Sequence, residues 1–241
     1  MTGIGARRAA FAAFLLLLAL GFAALGVWQV ERRAWKLALI ARVEARVHAA
    51  PAPLPPGAAW AGIDEASHAY RRVEARGVLL HDRETQVQAL TDLGAGWWVL
   101  TPLRTVDGTV LVNRGFVPTD RRDQASRRAA LPSGTVRVVG LLRMSEPGGG
   151  FLHANDPAAS RWYSRDVGAI ARARRLPDAA PFFIDADAAP NPGGYPVGGL
   201  TVVSFRNSHL IYALTWFALS ALSLGGLVMV WRSGPRSGRA A

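Results

Sequence analysis

The stretch 206-RNSHLIYALTWFALSALSLGGLVMVWR-232 decides the fold. It opens on Arg206, runs 22 residues from Leu210 to Trp231 without a charge, and closes on Arg232. At about 1.5 Å of rise per residue, a helix of that length covers roughly 33 Å, enough to cross a hydrocarbon core of about 30 Å. A polar cluster, Asn207, Ser208 and His209, stands at the mouth of this expected span, with Tyr212, Thr215 and Trp216 just inside.

Near the other end, residues 9–30 form a second run of 22 uncharged residues, preceded by Arg7 and Arg8 and followed by Glu31, Arg32 and Arg33. A cleavable signal peptide is the competing reading, since Ala24-Leu25-Gly26 offers a small-x-small site. The apolar run exceeds the usual h-region of about 7 to 15 residues and continues through Val27, Trp28 and Val30, which favours a retained anchor. Both flanks outside the two runs carry Arg and no acid, so both termini are expected in the cytoplasm. The chain between them is then extracytoplasmic, because loops beyond about 60 residues translocate largely regardless of their own charge.

The formal net charge of +11 divides as +2 in residues 1–8, +3 in residues 232–241 and +6 between. Juxtamembrane arginines and an Arg-rich surface account for it, and an extracytoplasmic domain is no partner for nucleic acid. The absence of cysteine excludes disulfides, C-x-x-C redox chemistry and thiolate metal sites.

After Val30, apolar residues continue at helical spacing through Trp35, Leu39, Val43 and Val47 until 51-PAPLPPG-57 stops the helix. Strands are expected at 77–80, 85–90, 97–103, 109–118, 135–143, 182–186 and 200–205, with a turn at His81-Asp82 and a hairpin across Asp107-Gly108. Residues 119–132 read as a polar, helical stretch, and 161–176 contain a helix capped by Asp166. The expected fold is therefore a membrane protein of α+β class, with two transmembrane helices flanking a mainly antiparallel β extracytoplasmic domain. Its parts are helix 9–30, a helical extension 31–50, a linker 51–68, a β-rich domain 69–206, helix 207–231 and a basic cytoplasmic tail 232–241.

None of the G-x-S-x-G, H-E-x-x-H or G-x-x-x-x-G-K-[ST] signatures is present. His153, with Asn155, Asp156 and Asp166, is the polar group of the domain that could form a site, although nothing in the spacing makes these residues converge. His209 differs by position. An ionisable side chain at the edge of a span is either solvated among headgroups or turned toward a partner helix or interior site. Residues 209, 212 and 216 recur at i, i+3 and i+7, so one helical face carries His209, Tyr212 and Trp216. That face could pack on the first span or on something planar. Haem needs a neutral imidazole for iron, aromatic walls and cations near its propionates. His209 could supply the first, Tyr212 and Trp216 the second, and Arg206, Arg32 or Arg33 the third.

Four segments carry a resemblance: 26-GVWQVERRAWKLALI-40, 111-LVNRGFVP-118, 162-WYSRD-166 and 207-NSHLIYALTWF-217. In this order, bracketed by two spans, they resemble the surfeit-locus family of cytochrome c oxidase assembly factors. Two positions depart from the family pattern, Ser208 where Asn is frequent and Phe116 where Trp is commoner. The resemblance implies a non-enzymatic protein of the inner membrane that helps place haem a in the oxidase's catalytic subunit, receiving it from haem a synthase. It also implies His209 as the haem ligand. Asn113, Arg114 and the Trp162 region would hold the partner or close the groove. Two rivals stand beside this reading: a docking scaffold that never touches haem, and an enzyme centred on His153 and Asp156.

Overall fold

The computed structural model describes residues 3–150, 152–201, 205 and 207–233. They form two compact units, one of residues 1–42 and 204–241, the other of residues 43–203.

The first unit is a pair of helices, each long and apolar enough to cross a membrane. Helix α1 spans Gly3–Val47, and its C-terminal turns belong to the second unit. Its partner, α4, spans His209–Arg232. The two pack through small residues. Ala19 and Gly26 on α1, and Ala213, Ser220 and Ser223 on α4, are buried while most of the large apolar side chains stay exposed. That is the pattern of helices that approach closely and leave their bulk to lipid. The hydroxyls are satisfied by backbone: Ser220 Oγ donates to the Ala19 carbonyl at 2.8 Å and Ser223 Oγ to the Leu219 carbonyl at 2.9 Å. A Cβ added at Gly26 would lie 2.6 Å from the Phe217 ring, so any larger residue there forces that ring to shift. The tail beyond Ser233 and the position of Arg206 lie outside the described residues.

The second unit is built on seven strands: β1 (Ala52–Pro53), β2 (Arg72–Leu79), β3 (Thr85–Thr91), β4 (Gly94–Arg104), β5 (Thr109–Pro118), β6 (Thr135–Met144) and β7 (Ala179–Ala186). Two short helices, α2 (Glu65–His68) and α3 (Val167–Ala173), complete it. The sheet order is β1-β2-β6-β7-β5-β4-β3, and β2 also pairs with β4, which closes β2, β6, β7, β5 and β4 into a small barrel. The sheet is mainly antiparallel, as expected, but mixed: β5 pairs with β7, and β1 with β2, in parallel. The cause is the long connection from β6 through α3, which brings β7 back between β6 and β5 running alongside the latter.

His81-Asp82 does not reverse the chain either. A 3-10 turn, His81–Arg83, bulges out of an otherwise continuous edge, and β2 and β3 run successively along the same partner, β4. The Asp107-Gly108 hairpin forms as its sequence predicts, with Arg104 opposite Thr109 and Gly108 at φ 132°. The expected helix over 119–132 is instead two 3-10 segments, Thr119–Arg121 and Gln124–Ala130. Arg127 pins them through a 2.8 Å ion pair to Glu84, both side chains almost fully buried. In 200–205, residues 200, 201 and 205 are not in a strand, and residues 202–204 lie outside the described residues. The proline-rich segment is more than a linker. Ala52–Pro53 pairs with β2, and Trp60 is buried in the barrel core, its Nε1 donating to the Pro55 carbonyl at 2.8 Å.

Strand alternation sorts the core into two layers. Val73, Ala75, Leu103, Val110, Val112, Leu142, Phe182 and Ile184 fill the barrel. On the outer face, Leu100, Leu111 and Phe183 pack with Trp162 beneath α3, which contributes Val167 and Ile170. Asp166 caps α3, its carboxylate accepting the Ala169 N–H at 2.9 Å.

Two glycines test this backbone. Gly94 and Gly115 both have positive φ, 99° and 125°. A Cβ at Gly94 meets nothing within 4 Å, whereas at Gly115 it would lie 2.1 Å from the Val197 carbonyl. Gly94→Ala is expected to cost about 1 kcal/mol of backbone strain, and Gly115→Ala roughly 2 kcal/mol or more beyond that as the 197 loop is forced away, measured by urea unfolding.

Candidate functional site: a histidine at the seam of two apolar helices

His209 is the first residue of α4. The polar cluster around it is a helix start: Asn207 Oδ1 accepts the His209 N–H at 3.4 Å, and the Ser208 carbonyl accepts the Tyr212 N–H at 3.3 Å. The first contact satisfies an amide that a helix start leaves without an intrahelical partner, and the second is the first i to i−4 bond of the helix. The ring is held separately. Nδ1 of His209 lies 2.7 Å from Oε1 of Gln29, a residue only 9% exposed on α1. Since a carbonyl oxygen can only accept, the proton of the neutral ring sits on Nδ1, and the lone pair is left on Nε2.

Of the residues expected on one face, the structure brings two into the seam and leaves the third outside it. Trp216 stacks on Phe22 of α1, ring centroids 5.7 Å apart and planes 23° from parallel. Tyr212 is turned to the flank and is 54% exposed. The seam repeats at His209, Ala213, Trp216, Ser220 and Ser223, steps of four and three, and Tyr212 falls beside that stripe. Arg32 lies over the Trp35 ring at 4.0 Å. Gln29 closes the 26-GVWQ-29 motif, where nothing local assigns it a role. The signal that could have found it is a long polar side chain in an apolar helix, which must find a partner.

Asn113, Arg114 and Trp162, expected to hold the partner or close the groove, are buried, at 4%, 7% and 1% exposure. Asn113 Nδ2 donates to Asp185 at 2.8 Å, and its Oδ1 accepts the Gly115 N–H at 3.2 Å. Asp185 also accepts from Arg143 at 3.0 Å and Arg165 at 3.1 Å, and Arg165 reaches Glu146 at 2.5 Å. These groups floor a cleft of about 790 Å³ with Trp98 and Leu200 on its walls. Its two arginines are already neutralised by two carboxylates. Arg114 points into the barrel end; burial pushes its pKa below the ordinary value, Glu84 opposing and Arg127 adding to the shift.

The His153 group does not assemble a site. The His153 ring stacks on Tyr163 at 4.9 Å, Asp156 pairs with Arg161 at 2.6 Å, Asp166 caps α3, and Asn155 Oδ1 accepts from the Tyr163 and Ser164 amides. Among the described residues, no group of three or more His, Cys, Asp or Glu could hold a metal ion.

A family model described as the SURF1 family matches residues 16–221. The chain belongs to the SURF1 family. It is 39% identical over 225 residues to Surfeit locus protein 1 of Mus musculus, covering 86% of this chain and 71% of that one. Against Surfeit locus protein 1 of Homo sapiens the identity is 37% over 225 residues, 86% and 73% of the two chains. Against a SURF1-like protein of Monosiga brevicollis it is 40% over 224 residues, 87% and 83%. The SURF1 match takes in both elements of the seam, Gln29 and His209.

Haem is the group that the family resemblance implies, and the seam fits it in one respect: it offers a single imidazole nitrogen, Nε2, with no partner among the described residues. The Tyr212 ring is exposed, while Trp216 is already occupied by Phe22. The site would be open and one-sided.

In the β domain, Asp185→Ala would leave Arg143 and Arg165 to share Glu146 alone and Asn113 without its acceptor. The expected cost is about 3–5 kcal/mol in urea unfolding followed by tryptophan fluorescence.

Proposed function

We propose that this SURF1-family chain is a non-catalytic assembly factor for haem-copper cytochrome c oxidase, and that it helps deliver haem a to the catalytic subunit. The observation that carries the proposal is His209, a histidine at the mouth of an apolar helix whose ring is fixed through Nδ1 and whose Nε2 is uncommitted. Haem supplies an iron with an axial position suited to an imidazole nitrogen, and an apolar tail suited to lipid. The chain's part is to present Nε2 at a fixed height beside the helix pair and to keep that nitrogen unprotonated. Tyr212, one turn into α4, offers an exposed ring. One protein ligand in an open groove suits transfer, since a closed pocket would retain its cargo.

The partners in this reading are the oxidase's catalytic subunit as acceptor and haem a synthase as donor. The chain sits in the cell inner membrane with both termini cytoplasmic and the β domain periplasmic. Its lack of cysteine makes the topology simple to check. Val106, 101% exposed at a hairpin tip, can be replaced by cysteine. A membrane-impermeant maleimide applied to intact spheroplasts is expected to label Val106→Cys fully and a cysteine at Thr2 not at all; the reverse pattern would invert the topology.

The second reading is a scaffold that stabilises an oxidase intermediate without binding haem. It is favoured by Trp216, whose stacking on Phe22 withdraws one of the aromatic walls. Optical spectra of wild-type and His209→Ala protein purified from cells making haem a separate the two. Haem in the wild type and a loss of at least ~10-fold in the variant is the expected result. Equal haem in both removes His209 as ligand, and haem in neither selects the scaffold.

A further inference from the structure

We propose that Gln29 is the positioning residue for His209: its side-chain carbonyl selects the tautomer and the ring angle that leave Nε2 available as a ligand. The inference rests on the reading of His209 as a haem ligand, but it is carried by the geometry of the helix seam.

A neutral imidazole carries one proton on either of its two nitrogens, and only the bare nitrogen can bind a metal. Which nitrogen is bare is set by the hydrogen bond that the other makes. Here the Nδ1 to Oε1 distance is 2.7 Å, the length of a well-formed bond. A ring unrestrained in this way would populate both tautomers and rotate about its side-chain bonds. The residue that supplies the restraint is buried, and a buried amide in an apolar helix is costly unless it is paired.

The remaining seam contacts hold the pair in register. Gly26, one turn before Gln29, admits the Phe217 ring. Phe22 stacks on Trp216 a turn further along, and Ser220 bonds the Ala19 carbonyl beyond that. The backbone amide of His209 is fixed independently through Asn207. Ring and backbone are thus held by different residues, so Gln29 can be changed without removing the helix start. A hydrogen bond that merely joined two helices would need no particular polarity. This one presents an acceptor to Nδ1, and that polarity is what tautomer selection requires.

The test uses the full chain in detergent, with histidine labelled by nitrogen-15, and needs no haem for its first readout. The His209 signal, assigned by its loss in His209→Ala, is expected to show a proton on Nδ1 in the wild type. Gln29→Glu keeps an acceptor in the same place and should keep that tautomer. Gln29→Leu should shift the ring to a mixture rich in the form protonated on Nε2. On titration with haem a, Gln29→Leu is expected to lose roughly 10- to 100-fold in affinity and Gln29→Glu to stay within about threefold of wild type. If Gln29→Leu does not accumulate, Gln29→Asn, which falls one methylene short of the ring, makes the same comparison. An unchanged tautomer and unchanged affinity in the Leu or Asn variant, with binding lost in His209→Ala, would overturn the role of Gln29 while leaving the ligand reading intact. Wild-type binding in His209→Ala would instead overturn the ligand reading itself.

Discussion

The close approach of two apolar helices is the constraint from which the candidate site follows. Lipid offers no hydrophobic drive for one helix to join another, so association depends on packing and on hydrogen bonds across the contact. Gly26, Ala19, Ala213 and Ser220 remove the side-chain bulk that would hold the backbones apart. Only at that separation can a glutamine on one helix reach an imidazole on the other. A larger residue at Gly26 would displace Phe217 and move Gln29 away from His209 without touching either.

The β domain obeys a different constraint, the burial of charge. Asp185 is the penultimate residue of β7, and the residues before it, Phe182, Phe183 and Ile184, are fully buried. Its carboxylate is tolerated there because Asn113, Arg143 and Arg165 all donate to it. These partners come from β5, β6 and the segment before α3, so a single carboxylate ties three distant parts of the chain. That Asn113 lies in the 111-LVNRGFVP-118 motif and Trp162 in the 162-WYSRD-166 motif is explained by architecture. One ties β5 to β7 and the other fills the core beneath α3.

The sequence was most legible where one physical signal dominated. Apolar length marked both helices, alternation marked β3, branched residues marked β6, and Asp-Gly marked the β4–β5 hairpin. It was least legible where partners distant along the chain decide the outcome. Nothing local distinguishes the bulge at His81–Arg83 from a reversal, because β4 supplies the continuous edge that both flanking strands follow. The parallel pairing of β7 is likewise a property of the closed barrel. At the site, periodicity placed His209 and Trp216 on one face but could not exclude Tyr212, which differs from them by a fraction of a turn. Gln29 escaped notice because its meaning exists only in a contact spanning 180 positions.

That separation also fixes an order of events during synthesis. Gln29 is made early and His209 only after the whole β domain, so the seam is among the last features the chain can complete. Until α4 is in place, α1 carries a buried-type amide whose carbonyl has no donor and a glycine notch with nothing to receive. A chain interrupted anywhere before α4 therefore lacks the imidazole and its holder as a pair, however well its β domain has folded. The candidate site comes into being with α4, after the β domain has been made.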